Sequence, residues 1–303
     1  MANAPKSLFK YVHPDRVDIL EKLQIRFTQP SRFNDPFEML PSLDGLDAKA
    51  IDAAEEQVHR KMYLQYALRG GTHRFEEFRK IQAAHNRKAI DELKNPQILK
   101  EKTIAKHLKH WDDRVGILSL SAAEKNTPMW AHYAKSHEGF LIEFDPQHSF
   151  FSPPGKSPDI DFGILTQVIY SRARPTIDIQ ATPVLAGLRM LKTKSEKWKN
   201  EKEWRVYQLL EQSDAKEPLG NEIVHLYKLP PDCIKRVVVG LRMDFARRAR
   251  IVRAIEANSS LKNVHVFEAV LDLSLYDLKY VPLAEELYRS IDGLNLRASA
   301  SLR

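Results

Sequence analysis

The sequence predicts an α+β fold: short strands interspersed with helices. Three observations predict it. Apolar, β-branched segments of strand length recur from residue 8 to residue 271, with helical patterns between them. Few of these segments are joined by a long βαβ crossover. One block, residues 46–110, turns to Ala, Lys, Glu, Arg and Gln at helical spacing, so an all-helical insertion interrupts the strand-forming sequence.

The elements follow in order. Residues 8–12 alternate and are aromatic, which suits a short strand. His13-Pro14-Asp15 turns the chain, and 15–23 carries Val17, Leu20 and Leu23 on one helical face. Residues 24–28 read as a second strand. In the loop 30–37, Asn34-Asp35-Pro36 favours a defined turn, because proline restricts the residue before it. Within the insertion, Ile51, Val58, Met62, Tyr66 and Ala67 form one helical series, Gly70-Gly71 breaks it, and Phe75, Phe78, Ile81, Ile90 and Leu93 form another. Its basic positions lie among acids, the pattern of a solvated face.

From residue 115 the pattern is β again. Residues 115–121 form a strand in which Ser119 and Ser121 share one face. A helix starts near residue 127, with Thr127 as N-cap and Pro128 at the first helical position. Strands are expected at 139–145, 165–170, 204–210, 223–229, 234–239 and 264–271. Helices are expected at 182–199 and at 244–257, and a Pro/Ser/Gly-rich loop at 146–160. The resulting division is an α+β core of 1–45 and 111–290, a helical insertion at 46–110 and a flexible tail at 291–303.

Composition bounds the function. The chain has 303 residues, long enough for a sizeable core without disulfides. Cys233 is its one cysteine, which excludes a disulfide framework and any multi-cysteine zinc site; among apolar neighbours it reads as a core thiol. Lys and Arg number 47 against 40 Asp and Glu, a net +7 that invites a polyanion without proving one. The first residues lack the apolar run of a signal peptide, and no stretch nears the roughly 20 apolar residues of a membrane span. The expectation is a cytoplasmic protein with no membrane contact.

Familiar motifs fail. Gly155-Lys156-Ser157 resembles the end of a phosphate-binding loop, but the required earlier glycine is Phe150. There is no GxGxxG and no GxSxG. His132 and His137 are five residues apart, a poor spacing for ligands on one helical face, so no metal site is expected.

Three segments carry more. The first is Phe9-Lys10-Tyr11 with Ser31-Arg32-Phe33-Asn34-Asp35-Pro36-Phe37. The second is Ser119-Leu120-Ser121 with Met129-Trp130-Ala131-His132-Tyr133-Ala134 and His137-Glu138-Gly139-Phe140. The third runs from Lys194 to Arg205 and contains Trp198-Lys199-Asn200-Glu201-Lys202-Glu203-Trp204-Arg205. In this order they resemble DUF2971, a bacterial family of unknown function, from about residue 8 to 280 apart from the insertion.

More distantly, the order resembles the ADP-ribosyltransferase superfamily, which implies a split mixed or antiparallel sheet with flanking helices. In that superfamily an early strand offers Arg or His, a second offers Ser-Thr-Ser or Tyr, and a late strand opens on a catalytic Glu. The resemblance implies NAD as substrate and ADP-ribose transfer to a nucleic acid or protein. Glu203 would stabilise the oxocarbenium-like sugar, and Glu201 would act as base on the acceptor, provided the chain is already extended there. Tyr11 or Tyr133 would stack on nicotinamide, and Ser121 would support the carboxylate or the ribose. Lys10 or Arg205 would meet the pyrophosphate. Asn34, Asp35, Ser119, Trp130 and His132 complete the binding set. Two positions depart from the superfamily: Lys10 stands where Arg or His is expected, and Ser-Leu-Ser lacks the central Thr.

Each residue also has a plainer reading. Glu201 and Glu203 can simply flank a strand and pair with Lys199, Lys202 or Arg205. Trp130, Trp198 and Tyr133 can be packing aromatics, Asn34 and Asp35 can shape a turn, and the arginines of 242–253 can line a solvated helix. The expected function is therefore an NAD-cleaving ADP-ribosyltransferase or glycohydrolase. A toxin–antitoxin or anti-phage context, with an antitoxin or regulatory partner, is what the resemblance suggests. The rival is a non-catalytic module that binds nucleic acid or a nucleotide.

Overall fold

A computed structural model describes residues 5–42, 48–85, 95–153, 162–176, 183–220 and 222–284. The expected tail at 291–303 and the Gly155-Lys156-Ser157 segment lie outside the described residues. The strands are β1 Leu8–Val12, β2 Gln24–Phe27, β3 Val115–Ser121, β4 Phe140–Phe144, β5 Thr166–Gln167, β6 Ile169–Ser171, β7 Thr193–Ser195, β8 Glu203–Leu209, β9 Ala215–Leu219, β10 Glu222–Lys228, β11 Ile234–Val239, β12 His265–Leu271 and β13 Leu278–Pro282. The α-helices are α1 Asp18–Lys22, α2 Ala48–Leu68, α3 Phe75–His85, α4 Pro96–Asp112, α5 Thr127–Tyr133, α6 Pro183–Lys192 and α7 Phe245–Glu256. Among the described residues no helix is long and apolar enough to cross a membrane.

Contacts divide the chain into two units. The first comprises Met1–Gln29, Arg114–Val168 and Lys197–Arg303; the second comprises Pro30–Asp113 and Ile169–Glu196.

The first unit is α+β, with an eight-stranded mixed sheet in the order β13-β12-β11-β4-β1-β3-β8-β5. β11 and β12 are parallel and joined through α7; the other neighbours are antiparallel. Period-2 alternation gives the sheet two apolar faces. Leu8, Val12, Leu118, Leu120, Phe140, Ile142, Phe144, Val206, Val237 and Val239 pack against α1 and α7 through Ile19, Leu20, Ile251 and Ile255. Phe9, Tyr11, Leu141, Val238 and Ala269 face the other way, onto Met129, Trp130 and Ala134 of α5 and its end. Asp244 caps α7 by accepting from Arg247 N at 2.9 Å. Three of the four arginines of α7 are tied to acids: Arg247 to Asp15, Arg248 to Glu268 and Arg250 to Glu21.

β3 changes neighbours along its length. Its end meets β1 at Ser121 and Phe9, whereas Ile117 bridges Thr28, just beyond β2, through two 2.9 Å bonds. The sheet is forked there, and the Lys10 ammonium reaches into the fork to donate to Ser119 O at 3.2 Å. β2 continues into a smaller antiparallel sheet, β2-β10-β9.

The second unit carries α2, α3, α4, α6 and the parallel pair β6–β7. Tyr63 and Tyr66 of α2 pack tilted rings against Phe78 of α3 at 5.6 and 4.9 Å. Gly187 lies against Trp111, where an added Cβ would meet the indole at 1.7 Å. A buried ion pair, Lys194 Nζ to Glu38 Oε1 at 3.1 Å, anchors β7 to the loop after β2.

Several expectations need correction. The helix expected over 15–23 is a 3-10 turn, Pro14–Arg16, followed by the short α1 and a left-handed Leu23. Asn126, not Thr127, caps α5, its side chain accepting from Met129 N at 3.2 Å. The strand expected over 165–170 is broken into β5 and β6. The helix expected over 182–199 stops at Lys192, because 193–195 pair with β6 and Lys194 turns inward to Glu38; a 3-10 turn, Glu196–Glu201, follows. β9 and β13 were not anticipated.

Candidate functional site

The site is built where β3, β8, α5 and the 3-10 turn meet. β3–β8 register sets Ser121 opposite Glu203 and Ser119 opposite Arg205. Since β1 meets β3 at Phe9, the row Phe9–Ser121–Glu203 runs across three strands on one face. The early and late segments thus converge through backbone pairing alone.

Glu203 opens β8 and is buried. Its Oε1 accepts from Arg205 Nε at 2.7 Å, and the two side chains are 6 % and 1 % exposed. Glu201 does not share this strand. It closes the 3-10 turn, and Lys202 between them has left-handed φ of 46°. The condition set for Glu201, a chain already extended from 201 to 203, is therefore not met: a turn separates the two carboxylates, and they face different partners. Glu201 Oε1 accepts from the Tyr133 hydroxyl at 2.7 Å.

The backbone beneath is pinned. Ser121 Oγ donates to Glu201 O at 2.6 Å and accepts from Ala123 N at 2.8 Å. Ala122 N donates to Lys202 O at 3.0 Å, and Asn126 Nδ2 donates to Asn200 O at 2.7 Å. Asn126 thus caps α5 and holds the turn at once. Sequence reading missed it; its signal was an N-cap residue one place before Thr127-Pro128.

The remaining candidates separate into groups. Tyr11 is buried; its hydroxyl donates to the carbonyls of Ala123 and Glu124 and accepts from Asn126 N at 3.2 Å. Burial pushes its hydroxyl well above the usual tyrosine range. Trp130 is fully buried, edge-on to Tyr11 at 5.4 Å and stacked on His137 at 5.8 Å, its N–H donating to Tyr280. Burial, then the charges of Arg16 and Arg26, push the Lys10 ammonium down to about 8, with Glu203 opposing. His132 is exposed at the end of α5, its ring 6.1 Å from that of the half-buried Trp198. Asn34 and Asp35 lie in the second unit, where Asp35 Oδ1 accepts from Phe37 N at 2.9 Å and shapes the turn.

Chemically, the first unit offers two carboxylates, one held by a guanidinium and one by a phenol, beside a buried serine. Among the described residues no group of three or more His, Cys, Asp or Glu is arranged to hold a metal ion. No curated protein and no solved structure matches the chain. Residues 129–206, which hold Trp130, His132, Tyr133, Glu201, Glu203 and Arg205, match the family model described as "Protein of unknown function (DUF2971)", in support of the resemblance seen in the sequence.

Proposed function

We propose that the chain cleaves the nicotinamide–ribose bond of NAD and transfers ADP-ribose to a macromolecular acceptor, on a sheet of the split ADP-ribosyltransferase kind. The observation that carries the reading is a pair of buried carboxylates beside Ser121: Glu203, in the row Phe9–Ser121–Glu203 and held by Arg205, and Glu201, at the end of the adjoining turn and held by Tyr133. The donor set suits the chemistry. When the bond breaks, its electron pair leaves with nicotinamide and the ribose becomes cationic. A carboxylate already fixed by a hydrogen bond stabilises that charge without reorganising. Glu203 has this role, and Ser121 supports the backbone on which the second carboxylate sits. Glu201, carried by the turn and not by an extended strand, takes the proton of the attacking acceptor, with Tyr133 holding its carboxylate in place of the strand. Water in place of the acceptor makes the same site a glycohydrolase.

A second reading has its own observation. Arg205 and Lys10, the cations proposed for pyrophosphate, are engaged within the fold, with Glu203 and with Ser119 O. That counts against NAD pyrophosphate at these two cations, and so for the rival, a non-catalytic nucleic-acid or nucleotide-binding module whose phosphates meet other cations. Nicotinamide release separates the two. The enzyme reading requires release that falls at least about a hundredfold in Glu203→Gln, the scale of one lost transition-state contact. Absence of release, with NAD failing to raise the melting temperature, leaves the binding module.

A further inference from the structure

The turn that carries Glu201 presents an aromatic ring among lysines. Residues 197–202 read Lys-Trp-Lys-Asn-Glu-Lys, and Lys197, Lys199, Asn200 and Lys202 are exposed while Glu201 is buried. Glu196, at the head of the turn, is paired with Arg172 at 2.6 Å. Trp198 is half-buried with His132 edge-on to it, and His132 is exposed. The other three tryptophans, Trp111, Trp130 and Trp204, are buried. The platform is also rigid: the backbone of 199–202 is held by Asn126 Nδ2, Ser121 Oγ and Ala122 N at 2.6–3.0 Å, and Lys202 N closes on Lys199 O at 3.2 Å. Lys202 adopts φ of 46°, a conformation that costs a non-glycine residue energy and that the turn nevertheless holds.

We propose that this turn and the end of α5 form a binding surface for single-stranded nucleic acid. A base stacks on Trp198 with the His132 ring at its edge, and neighbouring phosphates meet Lys197, Lys199 and Lys202. Stacking needs an unpaired base, because a duplex hides its base faces; lysines spaced along the turn suit a backbone tracked beside the stacked base. Both requirements are met on one preorganised surface, so little ordering is needed on binding. The surface adjoins Glu201, whose carboxylate hydrogen-bonds to the residue after His132. As an assignment of the acceptor, this rests on the NAD-cleavage reading; as a binding surface, it is tested without NAD.

The experiment titrates the full chain with 12-nucleotide single-stranded RNA and DNA. Fluorescence polarisation reads affinity, and tryptophan emission reads contact with Trp198. The expected result is quenching on binding. Trp198→Ala weakens binding at least about fivefold, the low end of the cost of one lost stacked base. Trp198→Phe binds nearly as wild type without the quench, which guards against a folding defect. The combination Lys197→Gln, Lys199→Gln and Lys202→Asn lowers the slope of log affinity against log salt by about 2, at roughly 0.7 per phosphate contact. Equal binding of duplex, equal quenching by polyglutamate, or unchanged affinity in Trp198→Ala would overturn the inference. Binding without nicotinamide release sinks the transferase reading alone; release without binding sinks this inference alone.

Discussion

Replacing Arg205 by methionine tests whether the Glu203 carboxylate is held by a buried charge. The two side chains are 1 % and 6 % exposed and 2.7 Å apart. Methionine keeps much of the apolar stem but leaves Glu203 without the guanidinium. Removing one partner of a buried pair costs about 3–5 kcal/mol, because the remaining buried charge loses its hydrogen-bonded counter-charge. Hydrogen exchange at the β3 and β8 amides reads this locally, where Ser119 and Ser121 pair with Arg205 and Glu203. At about 1.4 kcal/mol per tenfold, exchange through opening of this region accelerates by two orders of magnitude or more. The double variant Glu203→Gln, Arg205→Met removes both charges and should regain more than half of the loss, giving a coupling well above that of a surface pair. A single variant within about 0.5 kcal/mol of wild type, the range of exposed pairs, would refute the buried-pair argument and with it the fixed orientation of Glu203.

Other expectations follow from the same geometry. Gly139→Ala places a Cβ 2.0 Å from Val12 O and about 3 Å from Ala134, so backbone must move; a loss of about 3 kcal/mol in urea unfolding is expected, and a neutral result would contradict the packing of β4 on β1. Lys10 is depressed to about 8 in the folded chain, so the unfolded state binds more protons between pH 8 and 10 and Lys10 makes stability rise with pH there. Tyr11, Tyr280 and Cys233 are pushed up and act in the opposite sense, stability falling as the unfolded groups ionise near pH 9–10, so the comparison is with Lys10→Met. That variant should be more stable at pH 7, by at most about 3 kcal/mol, with the advantage shrinking towards pH 10; parallel profiles would show that Lys10 is solvated. Tyr133→Phe removes the hydroxyl that donates to Glu201 and should lower nicotinamide release about tenfold or more with little change in melting temperature; an equal rate would remove Glu201 from the proposed base role.

The strands with consecutive buried apolar residues were legible in the sequence. β3 and β11 lie at the predicted residues, because Val115–Leu118 in one and Val237–Val239 in the other are consecutive buried residues, apolar but for Gly116, of a strand covered on both faces. β9 was not legible: it is the edge of the small sheet, contains Pro218 and is mostly exposed, so neither alternation nor apolarity marks it. β13 is likewise an edge, ending on Pro282. The helix expected through residue 199 shows tertiary pairing overriding propensity: Lys, Glu and Trp continue a helical composition, but β6 and Glu38 take residues 193–195. Within the site, the residue types of Ser121, Tyr133, Glu201 and Glu203 were legible as motifs. Their register was not, because it comes from pairing β3 with β8 across about 80 residues of chain. Nor could sequence tell that Trp130 is wholly buried while Trp198 is only half-buried.

The central claim is NAD cleavage on the two carboxylates, and its most direct measurement is nicotinamide released from NAD by wild type, Glu203→Gln and Glu201→Gln, each checked by its melting curve. The account predicts release by wild type, loss of at least about a hundredfold in folded Glu203→Gln, and a loss in Glu201→Gln that is greater with acceptor than with water. Release that survives in folded Glu203→Gln, or no release by wild type with single-stranded RNA, DNA and protein all supplied, would contradict it.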